Sequence, residues 1–180
     1  MLFRSAWFGF PVDEQALFKA LAEQPTTGTW RVRLTLDKAG KIEVQSFALA
    51  ATPPQTQGAW LAATAIDADD PLRRHKTTAR AVYDAALAGL PADVFDVVFL
   101  NQRGEVAEGA RSNVFVERDG VLLTPPLSSG ALPGVLRASL LARGRAVEAV
   151  LLPADLADGF WLGNALRGLL PVELRPGGEI

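Results

Sequence analysis

Residues 30–36 alternate strictly between apolar and polar side chains, and this pattern constrains the local fold more than any other feature of the chain. On an extended strand the apolar set would share one face: Val32, Leu34 and Leu36. The polar set would share the other face: Arg31, Arg33 and Thr35. A turn-forming segment, 37–40, leads into a second apolar segment at 41–49. The sequence therefore predicts a β-hairpin with a half-buried apolar face.

Helical spacing occurs on both sides of this hairpin. Asp13 is the expected N-cap of a first helix, in which apolar side chains recur at Leu17 and Leu21. Further helices are predicted over 77–90 and 135–143. Apolar segments predict strands at 59–66, 95–100, 114–116, 121–123 and 147–152, with a tight turn at 119–120 and an interrupted strand over 160–172. The succession of helices and strands predicts an α/β protein.

A polar connector separates two predicted domains. Residues 67–75 are polar and contain Pro71, which is typical of a junction. We therefore expect a small α/β domain over residues 1–67 and a larger α/β domain over residues 68–180.

The composition excludes several kinds of function. The chain is 49% hydrophobic and 21% charged with a net charge of −2, which is typical of a globular protein and argues against binding to nucleic acid. No apolar segment approaches the ~20 residues that cross a bilayer. The chain has no cysteine and a single histidine, His75, so thiol catalysis and multi-histidine metal sites are excluded. Lysine, arginine, carboxylate and hydroxyl groups remain as candidates for chemistry.

Lys76 is the first of these candidates, within the segment Arg-Arg-His-Lys-Thr-Thr at 73–78. A lysine that acts as a nucleophile needs partial desolvation, and the neighbouring Arg73 and Arg74 favour its uncharged form. Most lysines are solvated surface charges instead, and for Lys76 taken alone that alternative stays open.

Three later segments add possible binding groups. Glu108 and Asn113 flank a short turn, although both residue types are common in ordinary turns. The N–H groups of Val135 and Leu136 open a helix and would suit a phosphate, although many helices begin in this way. A glycine-containing break in the last strand offers further donors or is an ordinary interruption: Gly163, Asn164 and Ala165.

In this order the segments resemble the fold-type IV pyridoxal phosphate (PLP) enzymes, which include class IV aminotransferases and aminodeoxychorismate lyases. The resemblance extends from about residue 70 to residue 172. It implies an α/β fold of the D-amino acid aminotransferase type, with a small domain and a larger cofactor domain. The matching segments are 75–78, 101–109, 112–113, 124–127, 132–137, 163–165 and 170–172.

The resemblance implies roles for individual residues. It makes Lys76 the Schiff-base lysine and proton shuttle, and Glu108 the partner of the pyridine nitrogen. The backbone of Val135 and Leu136 would bind the phosphate, and many relatives carry a threonine at the position of Leu136. The remaining cofactor contacts would come from Asn113, Asn164 and Ala165, and the substrate contacts from Arg33 and Arg167.

Within the family, residues 75–84 and 164–168 are most similar to aminodeoxychorismate lyase, in the form fused behind the aminodeoxychorismate synthase component. This implies release of pyruvate from 4-amino-4-deoxychorismate to give p-aminobenzoate for folate biosynthesis. It also implies a cytoplasmic homodimer that binds PLP and a small-molecule substrate. Two alternatives stay open: an aminotransferase acting on branched-chain or D-amino acids, and a cofactor-free scaffold or binding protein.

The first residues depart from the family pattern. In relatives an arginine that binds the cofactor phosphate precedes the leucine equivalent to Leu2, and Met1 takes that place here. We therefore expect a truncated small domain without its opening strands, and weaker binding of PLP. A sheet edge would then be exposed unless a partner chain covers it. A reading frame that begins further upstream, or a paralogue that has lost its activity, would produce the same departure.

Overall fold

The computed structural model describes residues 2–51 and 56–176. The chain forms two compact units, Met1–Pro53 and Pro54–Ile180. The strand Gln57–Leu61 belongs to the second unit, because it pairs with two other strands of that unit. The domain boundary expected at residue 67 lies further along the chain than this division.

The first unit contains two helices and a hairpin that is two-stranded in the described part of the chain: α1 (Leu2–Phe8), α2 (Glu14–Ala22), β1 (Trp30–Leu36) and β2 (Ile42–Ala48). Asp13 caps α2, because its Oδ1 accepts a hydrogen bond from the Ala16 N–H at 3.0 Å. β1 and β2 pair antiparallel from Trp30↔Ala48 to Leu36↔Ile42. The predicted N-cap and the predicted hairpin are both confirmed.

The apolar face of this hairpin is less buried than its alternation predicts. Leu34 and Leu36 are half-buried, whereas Val32 is 42% exposed. Alternation specifies which side chains share a face, and burial additionally requires elements that cover that face. The expected half-buried face is therefore only partly realised.

The second unit is built on a mixed sheet, eight-stranded among the residues described, in the order β5-β4-β3-β10-β9-β6-β7-β8. Its strands are β3 (Gln57–Leu61), β4 (Val94–Leu100), β5 (Val106–Gly109), β6 (Asn113–Arg118), β7 (Val121–Thr124), β8 (Ala146–Glu148), β9 (Phe160–Asn164) and β10 (Gly168–Leu174). β3 pairs parallel with β4 and β10, and β7 pairs parallel with β8, while the other neighbours are antiparallel. The connections include α3 (Ala81–Leu87), α4 (Val135–Ala142) and 3₁₀ segments at Pro71–Arg74, Leu127–Ser129 and Pro153–Leu156.

Apolar clusters lie on both faces of this sheet. Successive residues of a strand point to opposite faces, and successive residues of β4 divide between two clusters. Val97 and Phe99 pack with Tyr83 and Ala86 of α3, and we call this side the α3 face. Val98 lies on the other side, the opposite face, in a cluster with Ala59, Val106, Val114, Leu151, Leu156 and Leu162.

The predicted helix over 77–90 is wrong at both ends, because α3 spans only Ala81–Leu87. At its start the Thr77 hydroxyl accepts a hydrogen bond from the Ala79 N–H at 3.2 Å, a local turn that competes with helix formation. Beyond its end Gly89 has a φ of +80°, which a right-handed helix does not accommodate.

The interrupted strand predicted over 160–172 is wrong, because the segment forms the antiparallel hairpin β9–β10. Asn164 Oδ1 accepts hydrogen bonds from the N–H groups of Leu166 and Arg167, at 3.0 and 2.9 Å. The amide side chain thus reverses the chain direction at residue 164. This hairpin lies between β3 and β6 and is not an edge of the sheet.

The β6–β7 turn forms as predicted, whereas β8 is shorter than predicted. The tight β6–β7 turn is confirmed, with φ of 52° at Asp119 and 76° at Gly120. The strand predicted over 147–152 is shorter, because β8 ends at Glu148, opposite the last residue of β7. Pro125 and Pro126 follow that residue and have no N–H to continue the pairing.

Candidate active site

A β-bulge decides which face of the sheet Glu108 occupies. Phe99 lies opposite Glu108 and Leu100 lies opposite Val106, so Ala107 is an additional residue on β5. Residues directly opposite each other on paired strands share a face. Glu108 therefore lies on the α3 face with Phe99, whereas regular pairing would turn it to the opposite face.

The Glu108 carboxylate is buried and hydrogen-bonded at both oxygens. The residue is 6% exposed. The Tyr83 hydroxyl donates to Oε1, and the Leu132 N–H donates to Oε2 at 2.8 Å. Burial raises the pKa of Glu108, while the two hydrogen bonds and the charges of Arg73 and Lys76 oppose that shift. Two cations therefore lie within electrostatic range of this carboxylate.

Tyr83 connects Glu108 to one of those cations. Its hydroxyl accepts a hydrogen bond from Arg73 Nη1 at 2.5 Å, and the guanidinium carbon lies 5.1 Å from the ring centroid. Tyr83 is 7% exposed and packs edge-on against Phe99, with the ring centroids 5.0 Å apart. Burial and then the charge of Glu108 raise the pKa of Tyr83, so its hydroxyl keeps the proton that it donates.

Lys76 lies between the 3₁₀ segment Pro71–Arg74 and α3. Its charge favours the ionised form of Glu108, so its amine acts on that carboxylate. The sequence predicts a partly desolvated lysine, whereas Lys76 is exposed. Lys76 is therefore exposed to solvent, while its charge acts on a buried carboxylate.

The backbone of Leu132 joins Glu108 to a second predicted residue, Asn113. The Leu132 N–H bonds Glu108, and the Leu132 carbonyl accepts a hydrogen bond from Asn113 Nδ2 at 2.8 Å. A Cβ atom at Gly134 would overlap Asn113 Oδ1, so the backbone of residue 134 approaches Asn113 as only glycine allows. Asn113 is therefore a buried support for the loop that precedes α4.

The start of α4 offers backbone donors. Gly134 is the N-cap and makes no side-chain capping hydrogen bond. The first-turn N–H groups, which include those of Val135 and Leu136, have no carbonyl partner within the helix, and the helix dipole adds positive potential there. Such a helix start favours an anion.

The end of β9 lies against this helix start. A Cβ atom at Gly163 would lie 3.0 Å from Leu136 Cδ2, which shows how closely the two segments approach. Asn164 Nδ2 donates to the Arg111 carbonyl at 3.2 Å, while its Oδ1 holds the β9–β10 turn. The Asn164 amide therefore supports the turn, and Ala165 is exposed at its tip.

Asp96 supports the turn that follows Glu108. Its carboxylate is fully buried and accepts hydrogen bonds from the N–H groups of Val97 and Arg111, at 2.9 and 3.2 Å. A Cβ atom at Gly109 would lie 2.6 Å from Asp96 Oδ2, so a side chain there is excluded. Burial raises the pKa of Asp96 to about 6.

The two predicted substrate arginines lie in different units. Arg33 is exposed on β1 of the first unit, and Arg167 is half-buried in the β9–β10 turn of the second. The other predicted residues all lie in the second unit: Lys76, Glu108, Asn113, Val135, Leu136, Asn164 and Ala165.

The sequence does not predict Tyr83 and Leu132 as site residues. Leu132 acts through its backbone, which its side chain does not signal. Tyr83 is the single tyrosine of the chain and lies in the segment that resembles the lyases, but its contact with Glu108 depends on the bulge in β5.

The described residues contain no cluster of three or more acidic or histidine side chains that could hold a metal ion. None of the helices in the same part of the chain is long and apolar enough to cross a membrane.

The fold and the site together identify the class of protein. A mixed sheet with a lysine ahead of α3, a buried glutamate on β5 and a glycine-opened helix has the fold-type IV aminotransferase-like α/β architecture. The family model described as amino-transferase class IV matches residues 2–174. The chain belongs to the class IV aminotransferase family.

Similar proteins include aminotransferases and a lyase. A structure described as a “putative amino-acid aminotransferase” from Mesorhizobium loti is 38% identical, with a TM-score of 0.87 over 97% of this chain and 87% of that one. A “putative aminodeoxychorismate lyase” of Schizosaccharomyces pombe is 32% identical over 77% of this chain. The branched-chain-amino-acid aminotransferase of Escherichia coli K12 is 46% identical over 42% of this chain. The matches span 61% and 26% of those last two proteins, less than two thirds of their length.

Members of this family use PLP, and the second unit has groups that fit it. Glu108 supplies a buried carboxylate on which the charges of Arg73 and Lys76 act, and Lys76 supplies an exposed lysine ahead of α3. The start of α4 supplies backbone donors for a phosphate, and Gly134, which precedes them, packs against Asn113.

Proposed function

We propose that this protein is a PLP-dependent 4-amino-4-deoxychorismate lyase, which releases pyruvate and forms p-aminobenzoate. The observation that carries the proposal is the buried Glu108 carboxylate, on which the Lys76 charge acts and which Leu132 links to the start of α4. The lyase reaction in particular is supported by residues 75–84 and by the similarity to the fission yeast protein.

Each residue would make a distinct contribution. Bound PLP supplies an electron-poor ring that takes up the electron pair left when a proton leaves the substrate α-carbon. Glu108 would hold a proton on the ring nitrogen, because a buried carboxylate stabilises a neighbouring cation. Lys76 would hold the cofactor through Nζ and, once the substrate amine has displaced it, would remove the α-proton as a free amine. The N–H groups of Val135 and Leu136 would bind the phosphate, and Arg167 a substrate carboxylate.

The two asparagines would act by positioning backbone. Asn113 holds the Leu132 carbonyl and packs on Gly134, so it fixes the loop that leads into α4. Asn164 holds the β9–β10 turn that carries Ala165. The role of Arg33 as a second substrate contact stays a prediction, and so do PLP binding and the formation of a homodimer.

The test is to mix the purified protein with PLP, record the visible spectrum, reduce with borohydride and map the labelled peptide. The sequence has four lysines, and Lys76 is the only one after Lys41. We expect a visible band and a label on Lys76, both absent from Lys76→Ala. Lys41→Ala is the matched control and should retain both. An unchanged spectrum in Lys76→Ala would contradict the assignment.

The lyase reaction itself is tested with aminodeoxychorismate in the absence of a keto acid. We expect one pyruvate and one p-aminobenzoate for each substrate consumed, and no release by Lys76→Ala. Absence of both products from a protein that binds PLP would exclude the lyase.

An aminotransferase is the second candidate, favoured by the 38% identity to the Mesorhizobium loti protein over 97% of this chain. It would transfer the amino group of a branched-chain or D-amino acid to a keto acid. Formation of a new amino acid only when a keto acid is added would support this function over the lyase. A protein that forms no visible band with PLP would support a cofactor-free scaffold.

A further inference from the structure

We propose that Tyr83, backed by Arg73, is a positioning residue that keeps the Glu108 carboxylate charged and in a single orientation towards the ring nitrogen of the cofactor. The inference rests on the proposed function, since it concerns the same site. Three side chains form the hydrogen-bonded series Arg73–Tyr83–Glu108, which we call the tyrosine relay.

The orientation of Glu108 is fixed from two sides. Tyr83 approaches Oε1 from α3, and the Leu132 N–H approaches Oε2 from the loop before α4. Donors on two separate elements hold the plane of the carboxylate. Each oxygen still has a second lone pair, so the carboxylate can also accept a hydrogen bond from a ligand.

The charge of Glu108 depends on what stands between it and Arg73. A direct ion pair with the guanidinium would neutralise the carboxylate and leave little attraction for a ring cation. The neutral Tyr83 hydroxyl separates the two groups instead. Because Arg73 donates to that hydroxyl, it makes Tyr83 a stronger donor while the negative charge stays on Glu108.

Charged groups lie close to the relay on the segment before α3 and on α3 itself. Arg73 and Lys76, before α3, are the cations that act on Glu108. Within α3 and at its start, Arg80 lies over the Tyr83 ring at 5.5 Å and pairs with Asp84 at 2.7 Å. Asp70 lies 3.7 Å from the Arg73 Nε atom (measured to its Oδ2) and balances part of that charge.

The fold places Tyr83 where the relay needs it. Phe99 packs edge-on against the Tyr83 ring at 5.0 Å and lies directly opposite Glu108 on β4. Ala86 holds the next turn of α3 in the same apolar cluster. The bulge in β5 then brings the carboxylate to the hydroxyl. Phe99 of β4 therefore contacts Tyr83 and also lies opposite Glu108.

A purely structural role for Tyr83 predicts a different behaviour. A tyrosine whose hydroxyl is merely satisfied by the nearest acceptor would contribute to folding stability alone. The relay instead predicts that the cofactor responds when only the hydroxyl oxygen is removed, while a titration followed at Tyr83 tests the hydrogen bond that this role requires.

The first experiment uses the protein without cofactor. Tyr83 is the single tyrosine, so ¹³Cζ-tyrosine labelling gives one NMR resonance. We expect this resonance to move in one step when Glu108 takes up its proton, at a pH above the ordinary glutamate range, and the step to be absent from Glu108→Gln. An identical titration curve in Glu108→Gln would overturn the relay.

Arg73 variants test the outer member. Arg73→Met removes the charge but keeps an apolar side chain, and should shift the step to higher pH because an opposing cation is lost. Arg73→Lys should return it towards the wild-type position. Glu117→Gln, an exposed position on β6, is the control and should leave the step in place. Equal steps in Arg73→Met and the wild type would remove Arg73 from the relay and contradict the proposal.

The second experiment titrates wild type, Tyr83→Phe and Glu117→Gln with PLP and records the visible band and its pH dependence. We expect Tyr83→Phe to bind about tenfold more weakly or worse, with a shifted pH profile, because a hydrogen bond to a charged group is lost. Glu117→Gln should match the wild type. Equal affinity and pH profile in Tyr83→Phe would overturn the relay and leave the proposed function standing. A wild type that forms no visible band would overturn the proposed function and the relay's role together.

Discussion

The β1–β2 hairpin and the strands of the second unit carry similar apolar side chains in very different surroundings. Val32 of the hairpin is 42% exposed, whereas Leu162 of β9 is fully buried. β9 pairs on both sides, with β6 and β10, while β1 has β2 as its neighbour among the described residues. The same side-chain chemistry is therefore worth different amounts of stability in the two places.

This comparison shows that alternation is a local property and burial is a collective one. A strand pair with one face buries little by itself, because at least three strands or a covering helix are needed to exclude water. The sheet of the second unit carries clusters on both faces and is covered by α3 on one of them. The site residues lie on the strands and loops of this better-packed region.

The largest difference is expected for truncation of apolar side chains. Leu162→Ala should lower the free energy of unfolding by about 2–5 kcal/mol, because it leaves a cavity in the cluster on the opposite face. Val32→Ala, at an exposed position, should change it by less than about 0.5 kcal/mol. Urea denaturation of both variants provides the measurement. Equal losses would show that exposure does not separate the two regions.

The two units also differ in how deeply their carboxylates are buried. Asp96 is fully buried, whereas Glu43 of the hairpin is exposed. Burial raises the pKa of Asp96 to about 6 in the folded protein, above the ~3.9 of an unfolded chain. The folded state therefore holds this proton more tightly, so the stability from Asp96 is present below about pH 4 and lost as the pH rises through about 6.

We expect this loss to reach about 2–3 kcal/mol in the wild type between those two pH values. Asp96→Asn should remove that part of the pH dependence, measured as a difference between urea midpoints from pH 4 to 7. Glu43→Gln is the hairpin control and should follow the wild-type curve. Parallel curves for Asp96→Asn and the wild type would contradict the prediction.

The second unit also contains a close approach between the backbone of Gly134 and the Asn113 side chain. Gly134→Ala places a Cβ atom on Asn113 Oδ1 and should cost about 1–3 kcal/mol of stability through overpacking. Asn113→Ala removes the obstructing atom, so the double variant should recover part of the loss. A thermal-unfolding double-mutant cycle measures this coupling. Simple additivity of the two substitutions would show that the contact is not the cause.

The smallest effect is expected from the ion pair of the hairpin. Lys41 Nζ lies 2.6 Å from Glu43 Oε1 with both side chains mostly exposed, so Lys41→Met should leave stability unchanged within error. Arg137 of α4 is buried and donates to the Pro125 carbonyl at 2.7 Å and to Glu148 at 2.5 Å. Arg137→Met should therefore cost about 1–3 kcal/mol. Calorimetry on the two variants tests the ranking.

Elements with a local signal were predictable from the sequence. Asp13 caps its helix through a hydrogen bond three residues along the chain, and Asp119-Gly120 makes a turn from its own backbone preferences. The start of α4 after Gly134 is of the same kind. Lys76, Glu108 and the loop before α4 could be proposed as site residues because their order in the chain resembles a family.

The features that were not predicted arise where a polar side chain captures nearby backbone groups or where a contact joins distant parts of the chain. The predicted helix over 77–90 is cut short by a Thr77 side-chain turn, and the last strand folds back at Asn164 because an amide captures two backbone donors. The contact of Tyr83 with Glu108 joins residues 25 positions apart. It requires strand pairing, helix packing and a bulge at once, and none of these has a signature in a short segment.

The extra residue in β5 also makes the site sensitive to the register of that strand. In a regular strand Val106 and Glu108, two residues apart, would share a face, and the additional residue Ala107 places them on opposite faces. If the pairing slipped by one residue so that Glu108 lay opposite Val98, the carboxylate would enter the apolar cluster around Val98, away from Tyr83 and Lys76. Loss of Ala107 itself would instead leave Glu108 opposite Phe99, so the site depends on the register of β5 as well as on the identity of its residues.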